Sequence, residues 1–250
     1  MHQDQIAYTV RNANSIGPFI FSCEHASSEL PEGVLATDLD KYFLKTHWGW
    51  DIGAKSVVEQ LSDTFNSAAI FSNFSRLWID VNRAPDRTDL IRLETEGHPL
   101  SFNQTLSVTE HERRLKDFYQ VYHNAFHDLV ASRGQSSSPV ILISIHSFTP
   151  VWNGTVRDMD IGVLFDQDEA AGIALAKEIA AEDLFVAHNE PYTGRGGLMY
   201  SVEDKGRTHG CVHLELEINQ SLISSPARIS WLSRKLSSAL NRWLHLTSNI

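Results

Sequence analysis

Apolar residues along the chain fall into short dense runs, separated by stretches in which they recur at helical spacing. Pro18–His25 (PFIFSCEH) is a compact apolar run ending in polar residues, which predicts a buried strand entering a loop. Asp51–Phe65 places Ile52, Val57, Val58, Leu61 and Phe65 on one helical face. Ala68–Phe74 predicts a second strand and Trp78–Val81 a short third. Val108–Val130 predicts a long helix, with Thr109 at its N-cap and Glu110 and Glu112 in a first turn that favours carboxylates. Val140–His146 (VILISIH) gives the clearest strand signal. Asp160–Phe165 predicts another strand, followed by an Ala-rich helix over Glu169–Ala181 and an extended Leu184–Ala187. Cys211–Ile218 (CVHLELEI) alternates as a strand does, and Pro226–Leu246 reads as an amphipathic helix. Ser132–Pro139 reads as a loop, and no internal period is visible. Strands alternating with helices predict a layered α/β fold with a largely parallel or mixed sheet. In such sheets the site lies at the carboxyl ends of the strands.

Composition narrows the function classes. The chain has 250 residues, 42% of them hydrophobic and 21% charged, enough apolar material for one core and a single domain over residues 1–250. A net charge of −10 opposes binding to phosphate backbones, so neither nucleic acid nor an anionic membrane is expected as the main partner. No apolar run is long enough to span a membrane, and the N-terminal stretch is polar with no signal-peptide core. Cys23 and Cys211 cannot form a disulfide framework and read as buried thiols. The expectation is a soluble cytoplasmic enzyme.

Polar chemistry sits at the ends of the apolar runs. One run ends in Glu24-His25 and another in His146-Ser147. Two imidazoles and a carboxylate can hold Zn²⁺ with a fourth position open to water. The plainer alternative is that each His caps a loop or packs at the core edge. In the last strand His213, Glu215 and Glu217 share one face and Val212, Leu214, Leu216 and Ile218 the other. That polar face belongs either to a solvent-facing edge strand or to a cleft carrying a general base. Arg76, Arg83, Arg87 and Arg92 crowd one segment, interleaved with Asp80, Asp86 and Asp89. They form either a salt-bridged surface or an anion site in which Arg83 grips a carboxylate in bidentate fashion. Tyr192–Gly197 (YTGRGG) lacks P-loop spacing and reads as a covering loop, with Tyr192 and Arg195 as candidate contacts. Ser22 and Ser147 lie near His residues, but Gly-x-Ser-x-Gly is absent, so a serine hydrolase is a poor second choice.

Taken together, Cys23-Glu24-His25-Ala26-Ser27, His47-Trp48-Gly49-Trp50-Asp51-Ile52-Gly53-Ala54, Ser75-Arg76-Leu77-Trp78-Ile79-Asp80-Val81-Asn82-Arg83, Ser144-Ile145-His146-Ser147-Phe148-Thr149-Pro150 and Glu215-Leu216-Glu217-Ile218-Asn219-Gln220 resemble the N-formylglutamate amidohydrolase family. These motifs run in order over about residues 19 to 223. The resemblance extends more distantly to zinc carboxypeptidases and aspartoacylase. It implies a three-layer α/β/α sandwich with a mixed, mostly parallel sheet. It also implies one Zn²⁺, or another divalent transition metal, held by His25, His146 and a carboxylate. The carboxypeptidase pattern would put that carboxylate at Ser28, so the resemblance points to Asp51, with Glu29 as the fallback.

The same resemblance casts Glu217 as general base, with Glu215 able to do the same job. Arg76 would stabilise the oxyanion, and Asn82 and Arg83 would bind the substrate α-carboxylate. The implied reaction takes a small anionic N-acyl amino acid, N-formyl-L-glutamate foremost, to formate and L-glutamate. The alternatives are a carboxypeptidase or another N-acyl amino acid deacylase on the same scaffold, or a catalytically silent binder of an amino-acid derivative.

Overall fold

The computed structural model describes residues 6–133 and 140–247. Seven strands form its central sheet: β1 (Tyr8–Arg11), β2 (Phe19–Cys23), β3 (Ala68–Ser72), β4 (Ile141–Phe148), β5 (Ile161–Leu164), β6 (Val186–His188) and β7 (His213–Asn219). They lie in the order β1-β3-β2-β4-β7-β5-β6. The four central strands β3, β2, β4 and β7 run parallel. At the edges β1 is antiparallel to β3, while β5 is antiparallel to β7 and carries β6 parallel to itself. The sheet is thus mixed and mostly parallel, as expected.

The described residues form seven α-helices: α1 (Asp38–Leu44), α2 (Ala54–Thr64), α3 (Val108–Arg114), α4 (Gln120–Arg133), α5 (Glu169–Ala180), α6 (Tyr200–His209) and α7 (Pro226–Thr247). Helices α2, α5 and α7 cover one sheet face, where Leu61, Leu232, Leu236 and Trp243 meet Phe19, Phe21, Ile143, Ile145, Leu214 and Leu216. Helices α4 and α6 cover the other with Tyr122, Phe126 and Val202 against Ile20, Ile70 and Leu142. Both faces being covered explains why the central strands read as apolar runs. Each such side chain is worth about 1.5–3 kcal/mol when fully buried.

The period-two alternation also sorts the chemistry. On the α4/α6 face, β2 leads from Ile20 through Ser22 to Glu24, β4 from Leu142 through Ser144 to His146, and β7 from His213 through Glu215 to Glu217. The register aligns Ser22 with Ser144, Ser144 with Glu215, and His146 with Glu217. One face of three neighbouring strands therefore turns polar together toward its carboxyl end.

Several expectations need correction. Strand β4 runs on to Phe148, so His146 lies inside it; its ladder with β7 extends to the Asn219–Phe148 pair. Strand β7 is central and buried throughout, which removes the edge-strand alternative. Trp78–Val81 is no strand: Trp78 N–H bonds Ser75 O, Asp80 N–H bonds Leu90 O and Arg83 N–H bonds Asp80 O, a chain of turns under a buried Trp78. The long helix is capped by Ser107, not Thr109, and a π-helical turn at Leu115–Tyr119 joins α3 to α4. Strand β1 and helices α1 and α6 were not anticipated. Cys23 is buried but Cys211 only half-buried. Of the loop expected over Ser132–Pro139, Ser132 and Arg133 end α4 and the remainder lies outside the described residues. Among the described residues no helix is long and apolar enough to cross a membrane.

Candidate metal and active centre

Three segments bring His25, Asp51 and His146 together, all at most 3% exposed. His25 follows the end of β2 and His146 lies in β4. Asp51 comes three residues before α2. Its backbone N–H bonds His25 O at 2.9 Å, and its Oδ2 accepts Ser147 N–H at 3.2 Å. It serves the site and not the helix N-terminus, which Gly53 caps with φ +84°. The Nδ1 atoms of His25 and His146 stand 3.1 Å apart, and Asp51 Oδ2 lies 3.4 and 2.7 Å from them.

The outer nitrogens are already occupied. His25 Nε2 lies 2.8 Å from Asp80 Oδ1, and His146 Nε2 lies 3.1 Å from Glu24 Oε2. With the outer N–H groups donating to these carboxylates, the two Nδ1 lone pairs and Asp51 Oδ2 face one another. Only a proton or a cation relieves three facing acceptors. Donors about 2.0–2.1 Å from a tetrahedral centre lie roughly 3.3 Å apart, close to two of the three observed separations. The third separation is a hydrogen-bond length. Buried carboxylates behind the imidazoles are the usual support of metal-bound His. These three residues therefore fit a divalent ion. Burial lowers the pKa of His146, but Glu215, Asp51 and Glu24 raise it well above the usual value, so the site favours positive charge at this point.

The supporting carboxylates are themselves fixed. Burial pushes Glu24 up, but bonds from His146 and Ser144 outweigh it and hold it at about 2. Tyr122 OH donates to its other oxygen. Burial likewise opposes ionisation of Asp80, yet His25, Arg76 and Arg83 hold it well below the carboxylate range. Neither Glu24 nor Asp80 was assigned a site role from sequence. Glu24 adjoins a candidate His, but Asp80 was masked by the alternating Arg and Asp around it.

Glu215 and Glu217 occupy different environments. Glu215 accepts from Asn82 Nδ2 at 3.3 Å and faces His146 Nε2 at 3.4 Å. Burial raises its pKa to about 7, and the nearby Glu24 charge adds to the rise. Glu217 has its Oε2 buried with no hydrogen-bond partner among the described residues. Burial and then the Asp51 and Glu215 charges raise its pKa well above normal, against His146 and Arg76. A carboxyl so placed can hold and pass on a proton. His213, on the same strand face, is not in the site: it pairs with Asp168 at 3.0 Å.

A cavity of about 390 Å³ opens over this centre, lined by His25, Asp51, His146, Glu215 and Glu217 together with Arg76, Asn82, Arg83 and Tyr192. Arg76 lies 3.1 Å from Asp80 and 3.7 Å from Asp51. Arg83 spans Asp80 at 3.4 Å and Asp89 at 3.1 Å. Asn82 spends its amide on the protein: Nδ2 reaches Leu198 O and Glu215, and Oδ1 accepts Ser201 N–H at 3.0 Å. It therefore ties the Glu215 carboxylate to the start of α6. Tyr192 lines the cavity two residues after Glu190, whose carbonyl packs so closely on Gly162 that a Cβ there would stand 1.9 Å from it. Arg195 does not line the cavity, since its guanidinium turns outward to Glu169 at 3.5 Å. Glu29, the fallback ligand, is exposed and outside the metal group.

A sequence profile of the N-formylglutamate amidohydrolase family matches residues 17–224. The chain belongs to that family. Among solved structures, the amidohydrolase-family chain is similar to the gene product Atu2144 from Agrobacterium tumefaciens, at 28% identity and TM-score 0.90 over 98% of this chain and 97% of that one. It also shares the fold of the N-formylglutamate amidohydrolase from Ralstonia eutropha JMP134, at 17% identity and TM-score 0.76 over 98% and 100% of the two chains. No curated protein matches it significantly.

Proposed function

We propose that the protein is a metal-dependent amidohydrolase that cleaves N-formyl-L-glutamate to formate and L-glutamate. The observation that carries this reading is the buried His25–Asp51–His146 group in one cavity with Glu217, whose Oε2 has no hydrogen-bond partner among the described residues. Family membership supports the reaction class. His25, Asp51 and His146 would hold the ion, with Zn²⁺ suited to this N/O donor set. When bound, such an ion supplies Lewis acidity and an acidified water.

The chain's own residues do the rest. In its ionised form Glu217 takes a proton from the attacking water, and once protonated it delivers that proton to the leaving nitrogen, a shuttle typically worth about 10²–10⁴ in rate. The Arg76 guanidinium, already balanced on Asp80 and Asp51, stabilises negative charge developing on the acyl oxygen. Arg83 binds the α-carboxylate, and Asn82 holds Glu215 and the α6 start in place. The acidic net charge does not forbid an anionic substrate, because these guanidiniums dominate at short range.

Formate release from N-formyl-L-glutamate by purified protein, before and after chelation and with measured metal content, tests the reading. Release that needs about one ion per chain supports it. Full activity in metal-free protein, or no release from any N-acyl amino acid, overturns it.

A further inference from the structure

Three arginines line the cavity, and they are not equivalent. Arg76 is paired with Asp80 and Asp51, and Arg83 with Asp80 and Asp89. No carboxylate among the described residues lies within ion-pair reach of Arg92. Its guanidinium instead lies over the Trp48 ring, 5.2 Å from the centroid. Such stacking fixes the plane of a guanidinium while leaving its N–H edge free to bind.

The platform beneath it has contacts of its own on several sides. Trp48 Nε1 donates to Glu96 at 2.9 Å, and the ring packs against Trp152 at 5.6 Å. His47 packs on the same ring at 5.0 Å, and its Nε2 is buried with no partner among the described residues. Arg92 is half-buried, and burial followed by repulsion from Arg76 and Arg83 lowers its pKa. A protein of net charge −10 thus holds a cation that Asp80 and Asp89 balance only at a distance, stacked and partly desolvated, in the same cavity as its candidate metal ligands.

We propose that Arg92 receives a carboxylate on the side chain of the substrate, which makes the enzyme select N-acyl acidic amino acids over their uncharged amides. This rests on the amidohydrolase reading above and deepens it. The α-carboxylate goes to Arg83 and the side-chain carboxylate to Arg92, with the Trp48–Trp152 wall between water and the bound chain.

N-formyl-L-glutamate and N-formyl-L-glutamine differ in this charge and little else, so their kcat/KM ratio reads the contact. A charge-assisted hydrogen bond predicts that the wild type favours the acid at least about tenfold. In Arg92→Met that preference falls to within about threefold of unity through KM for the acid, while the amide substrate keeps its rate within about threefold. Arg92→Lys, which restores charge without the planar fork, recovers part of the preference. An unchanged ratio in Arg92→Met, or equal losses on both substrates, overturns the assignment.

If the wild type hydrolyses neither substrate, the amidohydrolase reading fails, and calorimetric binding of both to metal-loaded Glu217→Gln protein still decides the role of Arg92. Tighter binding of the acid by at least about tenfold, abolished by adding Arg92→Met, sustains it. Equal binding of the two, or none, overturns it.

Discussion

His146 and Glu217 are direct partners across the β4–β7 ladder, so a candidate metal ligand and a candidate proton carrier stand side by side on one sheet face. Neither can drift from the other without breaking a central parallel pairing. Glu217→Gln, close in shape, is expected to keep its bound metal and lose about 10²–10⁴ in kcat. Metal analysis and initial rates on the same preparation check this. Near-normal turnover would transfer the role to Glu215.

Glu24 and Asp80 act through the imidazoles they hold. Replacing either with Ala leaves an Nε2–H without its acceptor and frees the ring to turn. The expected loss is about 10–100-fold in metal affinity, measured by competition with a chelating dye. Asp80→Ala should show the additional effect of releasing Arg76 and Arg83, visible as altered KM.

Removing the ion should destabilise the fold as well as silence it. Without it the His25 and His146 nitrogens and the Asp51 carboxylate crowd one buried point with no cation between them. A ligand bound only by the folded state at 100 times its Kd adds about 2.7 kcal/mol. Chelation should therefore lower Tm, and re-addition of Zn²⁺ should restore both Tm and activity. An unchanged Tm on chelation would argue against a bound ion.

His123 adds a pH dependence from outside the candidate metal group. Burial, and next the Lys205 charge, depress its pKa to about 3. Its Nδ1 faces Lys205 Nζ at 3.1 Å and its Nε2 faces Val81 O at 3.0 Å, an arrangement that suits the neutral ring. The unfolded chain takes up this proton near pH 6.5, well before the folded one does. Stability is therefore full above that value and falls with acidification toward pH 3, at up to about 1.4 kcal/mol per pH unit. His123→Gln should flatten the slope of urea unfolding free energy between pH 6 and 4.

Much of this was legible in the chain. HLELEI announces a strand with one acidic face because alternation is a local property. His25 and His146 stand out because an imidazole gains nothing from closing an apolar run. Other features depend on contacts that spacing does not encode. Strand β1 buries only alternate positions halfway, and α6 (YSVEDKGRTH) is almost wholly polar, so neither carries an apolar pattern. Trp78–Val81 carries one but folds as turns, which leave Asp80 against His25. The sequence pairs Asn82 with Arg83, and both line the cavity, yet they take different partners: Asn82 bonds Leu198, Ser201 and Glu215, while Arg83 pairs with Asp80 and Asp89.

The two imidazoles that define the centre are separated by 121 residues of chain, and Asp51 belongs to a third segment. No stretch that folds early and locally can gather all three. An ion held by all three would tie three distant segments of the chain together at one point, where a zinc finger's metal joins ligands that lie close in sequence.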